Sequence, residues 1–372
     1  MRHQCLGAAI ITAWGFLASA SVGSVYADRV LSPDARLALL RRAQVWTRTN
    51  VRAMDLKAGP RGPGAFARDA TVTCDYVEKV MMGRSPKFTC RIPPHDEVKV
   101  KYGGSNGEVY GEVAATRLLW ALGFGADRMY PVTVICRGCP SELQPSSPSS
   151  AKTVVFDIAA IERKMPGHEI RTADVEGWSW PELDLVNEDA GGAPRAHRDA
   201  LKLLVAMLQH TDSKTQQQRL LCLDQKPESG HCGRPYMMVS DLGLTFGTAN
   251  RLNRQEPSSV NFTRWGETPV WLDGESCVAN LHQSLTGTLS NPRISEEGRR
   301  FLSRLLAQLS DAQLRDLFEA ARFAQRGVLE NGHTSAGSTD EWVAAFKAKR
   351  DAIANRRCAG PAVSDRKTDR PR

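Results

Sequence analysis

From Ser32 to about Leu56 the sequence SPDARLALLRRAQVWTRTNVRAMDL repeats apolar positions at helical spacing, with Ser32 as N-cap and Pro33 in the first turn. A Gly/Pro-rich connector, Lys57 to Gly64, ends it. Three strand patterns follow at Ala70 to Tyr76, Lys87 to Ile92 and Glu97 to Tyr102. In Val98-Lys99-Val100-Lys101 the alternation puts both valines on one face and both lysines on the other, as an exposed edge strand also would. After Gly103-Gly104-Ser105-Asn106-Gly107, the run EVYGEVAATRLLWALGFG carries a broad apolar stripe and predicts the clearest helix of the first half. Glu108 and Glu112 lie one turn apart on it, and Gly123 and Gly125 stop it. Met129 to Cys136 reads as a further strand, and beyond a Ser/Pro-rich link from Pro140 to Ser150, Val154 to Ile158 reads as another.

The second half opens on Trp178 and Trp180, two close aromatics that suit either a substrate groove or a structural staple. Ala196 to Gln209 is a helix with Leu201, Leu204, Val205 and Leu208 inward, and it delivers His210 and Asp212 into a polar loop. The apolar strand YMMVS ends at Asp241. Two acids are thus presented at element ends, where carboxylates are held still beside open space for a ligand. Taken in isolation the same pieces read as a helix, an Asx-type turn and a hairpin. Two regular helices, with Ser310 and Gln313 forming a capping box in the second, and a last helix from Thr339 to about Arg356 complete the chain with packing residues.

With 372 residues the chain is long enough for a sizeable core in one large domain or two lobes. Its start changes the picture. Arg2 and His3 precede an apolar run from Leu6 to Ala20 and a Val25-Tyr26-Ala27 cleavage pattern, which reads as a secretory signal covering residues 1–27. No later segment is apolar for long enough to cross a bilayer, so the mature chain is expected to lack a transmembrane segment and to be periplasmic or secreted. Of nine cysteines, removal of Cys5 with the signal leaves an even set of eight, which favours disulfides in an exported chain. Cys74 with Cys90 and Cys222 with Cys232 are the economical local pairs. Cys136-Arg-Gly-Cys139 is open to a local disulfide, a redox motif or half of a metal site, with disulfides ranked above zinc. The net charge of +8 owes much to the last stretch, residues 357–372 included, a basic disordered tail suited to weak contact with an anionic surface. No basic-aromatic repeat or finger pattern supports specific nucleic-acid readout.

The order strand, strand, lysine-bearing strand, glutamate-bearing helix, strand resembles the protein-kinase-like superfamily in one of its atypical branches, similar to the bacterial toxin-type and the secreted Fam20-type kinases. His210-Thr-Asp212-Ser-Lys214-Thr-Gln-Gln217 resembles the catalytic loop, and Asp241-Leu242-Gly243 the metal-binding acid-x-glycine element. That resemblance, covering roughly Val72 to Gly247, implies an α+β, two-lobed kinase-like fold with a small antiparallel-sheet N-lobe holding one main helix and a mostly helical C-lobe. It implies a helical extension at 28–64, an N-lobe at 65–150 and a C-lobe at 151–356, with the Cys136–Cys139 stretch near the connection between lobes.

The same resemblance implies a nucleoside triphosphate, ATP or another, and Mg²⁺ as cofactors, and an unknown hydroxyl-bearing substrate. Lys101 would pair with Glu112 and hold the α and β phosphates, with Lys99 and Glu108 as competitors for the two roles. Asp212 would orient or deprotonate the acceptor hydroxyl, Lys214 would offset phosphoryl charge, and Asp241 with Gln217 would hold the metal. The Gly83-Arg84-Ser85 turn could bend over a phosphate with Arg84 or Lys87. The sequence departs from the family at Gln217, where an Asn is usual, and lacks a glycine-rich GxGxxG and an APE-like segment. These departures sustain the alternative of a catalytically inactive binding module, or a disulfide-stabilised envelope interaction protein.

Overall fold

The computed structural model describes residues 29–140, 143, 153–224, 232–327, 329–330, 333–334 and 336–358. The expected signal segment 1–27, nearly all of the Ser/Pro-rich link and nearly all of the basic tail lie outside the described residues. A two-residue strand β1 (Arg29–Val30) leads into helix α1 (Pro33–Arg41), where the Ser32 hydroxyl accepts from the Ala35 amide at 3.2 Å. The expected helix to Leu56 stops at Arg41. Beyond it, tertiary pairing claims the backbone, with bridges from Gln44 to Tyr236 and from Trp46 to Phe124, so helical spacing is overridden by neighbours distant in sequence.

The next five strands form a closed barrel, which corrects the expected kinase-like N-lobe built on a small antiparallel sheet. Strands β2 (Thr71–Val77), β3 (Lys87–Ile92) and β4 (Asp96–Tyr102) are followed by helix α2 (Glu108–Leu122) and by β5 (Arg128–Arg137) and β6 (Thr153–Arg163). They close in the order β2-β3-β4-β6-β5. Closure depends on one parallel pair, with Thr71 to Asp75 of β2 beside Thr133 to Arg137 of β5. Alternation along a strand reports which face is apolar but not whether the first and last strands meet, so the sequence pattern suits an open sheet and a barrel equally. The interior is filled by Val72, Phe88, Val100, Val132, Val134 and Phe156, together with two disulfides, Cys74–Cys90 and Cys136–Cys139. Cys74 and Cys136 are register partners, so the two bridges lie side by side across the closing pair. The second bridge sits at the end of β5, ahead of the return strand β6.

The remainder is mixed. β7 (His168–Arg171), β8 (Gln218–Cys222) and β9 (Pro235–Val239) join β1 in a four-stranded sheet of order β1-β7-β8-β9, and helix α3 (Arg195–Met207) lies between β7 and β8 in the chain. Cys222 and Cys232 are bonded across the β8–β9 connection. Trp178 is fully buried and its indole N–H donates to the carbonyls of Arg219 at 3.0 Å and Met238 at 3.2 Å. Trp180 is buried against it, so the pair is a structural staple. Short helices α4 (Gln255–Ser258) and α5 (Phe262–Glu267) precede α6 (Glu296–Leu306), α7 (Asp311–Ala320), the strand pair β10 (Leu329–Glu330) and β11 (His333–Thr334), and α8 (Thr339–Asn355). Every residue from Ala200 to Leu208 is buried, which makes α3 the central helix of this half, with α6 packed along it. Phe246, Trp265, Phe318, Phe323 and Trp342 form an aromatic cluster among the last helices. Cys277–Cys358 ties the end of α8 back to the loop before α6. Among the described residues no helix is long and apolar enough to cross a membrane.

Candidate active site

Lys101 sits on β4 with its neighbours Val98 and Val100 turned into the barrel, so alternation sends its side chain to the outer face. β4 is not an edge strand: Lys101 pairs with Lys87 of β3 on one side and Ala160 of β6 on the other. Helix α2 covers that outer face and brings two glutamates, one turn apart, onto the ammonium. Lys101 Nζ lies 2.8 Å from Glu112 Oε2, 2.8 Å from Glu108 Oε2 and 3.5 Å from Asp241 Oδ1. The expected Lys101–Glu112 contact is therefore present, but Glu108 shares the lysine rather than competing for it. Lys99, the other candidate, instead pairs with buried Glu162 of β6, which also meets Lys164 at 2.5 Å.

Three carboxylates around one ammonium set the local electrostatics. Burial alone would strip the proton from Lys101, but Asp241, Glu112 and Glu108 outweigh it and hold the ammonium well above its usual range. Burial pushes the Glu112 carboxyl up to about 8, against the pull of Lys101. Burial would also raise Asp241, yet Lys101 and Lys99 reverse that and hold it well below the usual carboxylate range. Asp241 is 27% exposed, whereas Glu112 is fully buried, so the acid that keeps its charge is also the one that solvent or a ligand reaches.

Asp212 follows α3 in the loop 208–214. Its Oδ2 accepts from Lys214 Nζ at 2.9 Å and from the Gln217 amide at 2.7 Å, and its Oδ1 accepts from Asn253 Nδ2 at 3.1 Å. Gln217 joins the two aspartates, because its backbone carbonyl accepts the Ser240 amide at 2.9 Å and the Asp241 amide at 3.3 Å. His210 is fully buried beside both aspartates. Burial lowers its basicity despite their pull, and neither ring nitrogen has a hydrogen-bond partner among the described residues. The Thr211 amide donates to Leu244 O at 3.2 Å and the Phe246 amide to Leu208 O at 2.8 Å, so the two acid-bearing segments are laced together.

The segment after Asp241 is in turn pressed against α2. A methyl group at Gly111 would meet Gly243 O at 3.0 Å, Val260 Cγ2 at 3.2 Å and Thr245 Oγ1 at 3.3 Å, so only glycine lets helix and segment approach this closely. Val260 holds φ at 48°, a costly value for a β-branched residue, and its amide donates to Thr245 O. Asp241 therefore reaches Lys101 through backbone packing as well as charge.

The other expected phosphate ligands divide. Lys87 is half-buried and faces Lys101 across the ladder; burial, then Lys101, lowers its pKa while Glu108 and Asp241 partly compensate. Arg84 is exposed on the connecting segment and does not join the cluster. Its neighbour Ser85 does, donating to Glu108 Oε2 at 2.8 Å. Sequence reasoning missed Asn253 and Glu162, and took Ser85 only as part of the Gly83-Arg84-Ser85 turn, without a role for its side chain. Each is an ordinary polar residue in a loop or strand, and only its spatial neighbours mark it.

No protein-family model matches the chain, and no curated protein sequence does. Among solved structures, the chain is similar to the Helicobacter pylori proinflammatory kinase CtkA, at 9% identity and a TM-score of 0.40, with 76% of this chain and 96% of that chain covered. A likeness at that level carries no argument about fold or activity.

Proposed function

We propose that this chain transfers a phosphoryl group from a nucleoside triphosphate to a hydroxyl acceptor, after export to a periplasmic or extracellular compartment. The observation that carries the reading is the meeting of Lys101, Glu112 and Asp241, with Asp212 held one short loop away by Gln217. A lysine fixed by a buried glutamate supplies a point charge for phosphate oxygens without having to be ordered when the ligand arrives. Asp212 has Oδ1 and Oδ2 fixed by Asn253, Lys214 and Gln217, so it is oriented to accept the proton of an acceptor hydroxyl as the new P–O bond forms and the bond to the leaving diphosphate breaks. Lys214, beside it, offsets charge on the transferred group.

A divalent cation fits this donor set. The carboxylates of Glu108 and Asp241 outnumber the single ammonium they share, without counting Glu112, which burial pushes toward its neutral form, and Asp241 is ionised and partly exposed. Asp241 would hold Mg²⁺, with Gln217 adjacent, and the ion would neutralise phosphate charge. Four disulfides among the described residues support an oxidising compartment, as the expected signal segment does.

The test uses the oxidised full chain. Mg²⁺-dependent ATP binding followed by calorimetry, then γ-phosphate incorporation into protein, glycan and small-molecule panels, should both be positive. Asp212→Asn should keep binding and lower turnover by about 10²–10⁴-fold. Binding without transfer across the panels would favour the inactive module, and absence of both in folded protein would refute the enzyme.

A further inference from the structure

A cavity of about 510 Å³ lies between α8 and the segment 266–273, and no residue of the Lys101, Asp212 or Asp241 cluster lines it. Its wall is largely apolar, from Val270, Trp271, Leu272, Ala345, Ala348 and Ala352. One lysine also lines it. Lys349 is only 6% exposed, its Nζ stands 4.7 Å over the Trp265 ring, and it donates to the Thr268 carbonyl. No carboxylate pairs with it among the described residues.

The charged groups around it are otherwise engaged. Asp273 accepts from the Ser276 hydroxyl and amide and from the Glu275 amide, while Arg356 lies over Trp271 at 5.1 Å and donates to the carbonyls of Asp273 and Gly274. On α8 itself, Arg350 pairs with Asp351 at 3.2 Å, and Phe346 and Ile353 turn into the core. Glu267 precedes the Thr268 carbonyl and forms no ion pair with Lys349. A buried ammonium without a counter-charge costs several kcal/mol that a Met or Leu of similar size would not. Burial accordingly lowers this amine to about 8. Packing needs none of this, so the amine calls for a chemical account.

We propose that Lys349 is a reactive amine that forms an imine with a small aldehyde whose apolar body occupies this cavity. The Nζ lone pair attacks the carbonyl carbon as the C=O π bond opens, a proton passes from nitrogen to oxygen, and loss of water leaves the C=N bond. No oxidant or reductant is consumed. The bond to Thr268 O uses one N–H and leaves the lone pair of the neutral amine free for attack, while the apolar wall beside Lys349 offers a surface for the body of the aldehyde.

The probe is hexanal with cyanoborohydride, applied to the oxidised full chain and read by peptide mass mapping. At pH 7 Lys349 should be alkylated about tenfold or more faster than exposed Lys79, because far more of it is neutral. Its rate should level off above pH 8. Ala348→Trp, at an exposed helix position lining the cavity, should suppress labelling of Lys349 while the thermal midpoint is kept. Labelling spread evenly over the lysines, labelling of Lys349 only after unfolding, or no effect of Ala348→Trp would each overturn the proposal. Lys101, which lies outside this cavity, serves as an internal comparison, so failure here leaves the phosphoryl-transfer reading unaffected.

Discussion

The side-chain amide of Gln217 donates to Asp212 Oδ2 at 2.7 Å, while the carbonyl of the same residue receives the Asp241 amide. Its extra methylene relative to Asn is thus taken up by a contact to the candidate base. Gln217→Ala removes that contact and leaves Lys214 and Asn253 to orient the carboxylate. On the proposed function, turnover should fall by roughly tenfold to a hundredfold with nucleotide affinity within a factor of about three, in steady-state kinetics beside calorimetric binding. A larger loss of binding than of turnover would place Gln217 on the nucleotide instead.

Lys101 and its carboxylates depend on one another. Lys101→Met leaves Glu108, Glu112 and Asp241 crowded without a cation and should cost about 3–5 kcal/mol in denaturant unfolding. Adding Glu112→Gln to that variant should change stability little at pH 7, because burial keeps this carboxyl protonated once Lys101 is gone, whereas Glu112→Gln alone should cost stability by removing the contact to Lys101. Additive losses in the double variant would show that the two side chains act independently.

Gly111→Ala opposes two effects. Helix propensity gains up to about 1 kcal/mol, whereas the new methyl group presses on Gly243 O and Val260 and forces a shift of a few tenths of an ångström. Stability should change by less than about 1 kcal/mol by thermal unfolding. Mg²⁺-dependent nucleotide binding should weaken severalfold, because the displaced segment carries Asp241. Unchanged binding would mean that the segment yields without moving the aspartate.

Lys349 sets a pH dependence of stability with a definite sign. Its pKa is lowered from 10.5 to about 8 on folding, so between those values the unfolded chain binds more protons. Stability from this residue therefore rises as pH climbs from about 8 to 10.5, by up to about 3 kcal/mol. Lys349→Met should flatten that part of the curve in urea titrations at successive pH values. A parallel curve for the variant would assign the slope to other groups.

Local order was legible wherever periodicity and capping agree. Helix α2 begins at Glu108, α1 is capped by Ser32, and β3 spans Lys87 to Ile92, all as the spacing predicts. The Cys74–Cys90 and Cys222–Cys232 pairs follow from short separations, and Cys277–Cys358, spanning 81 residues, does not. Barrel closure was illegible for the same reason, since β2 and β5 meet through a contact that neither strand's alternation encodes. In the candidate site, residue type and order single out Lys101, Glu112, Asp212 and Asp241 as expectations, and the fold brings the first two together with Asp241. Asn253 and Ser85 reach the cluster only through folding, and Arg84, which looked equally apt in its turn, points to solvent.

The strand order also dictates an order of assembly. β6 is the last barrel strand to appear in the chain, yet it is seated between β4 and β5 and supplies the Ala160 partner of Lys101. A nascent chain that has not reached Arg163 can pair β4 only with β3, leaving the other side of the lysine-bearing strand as an open edge. The lysine's setting is thus completed by the insertion of one late strand, and any fragment ending ahead of it carries Lys101 without the place that makes it useful.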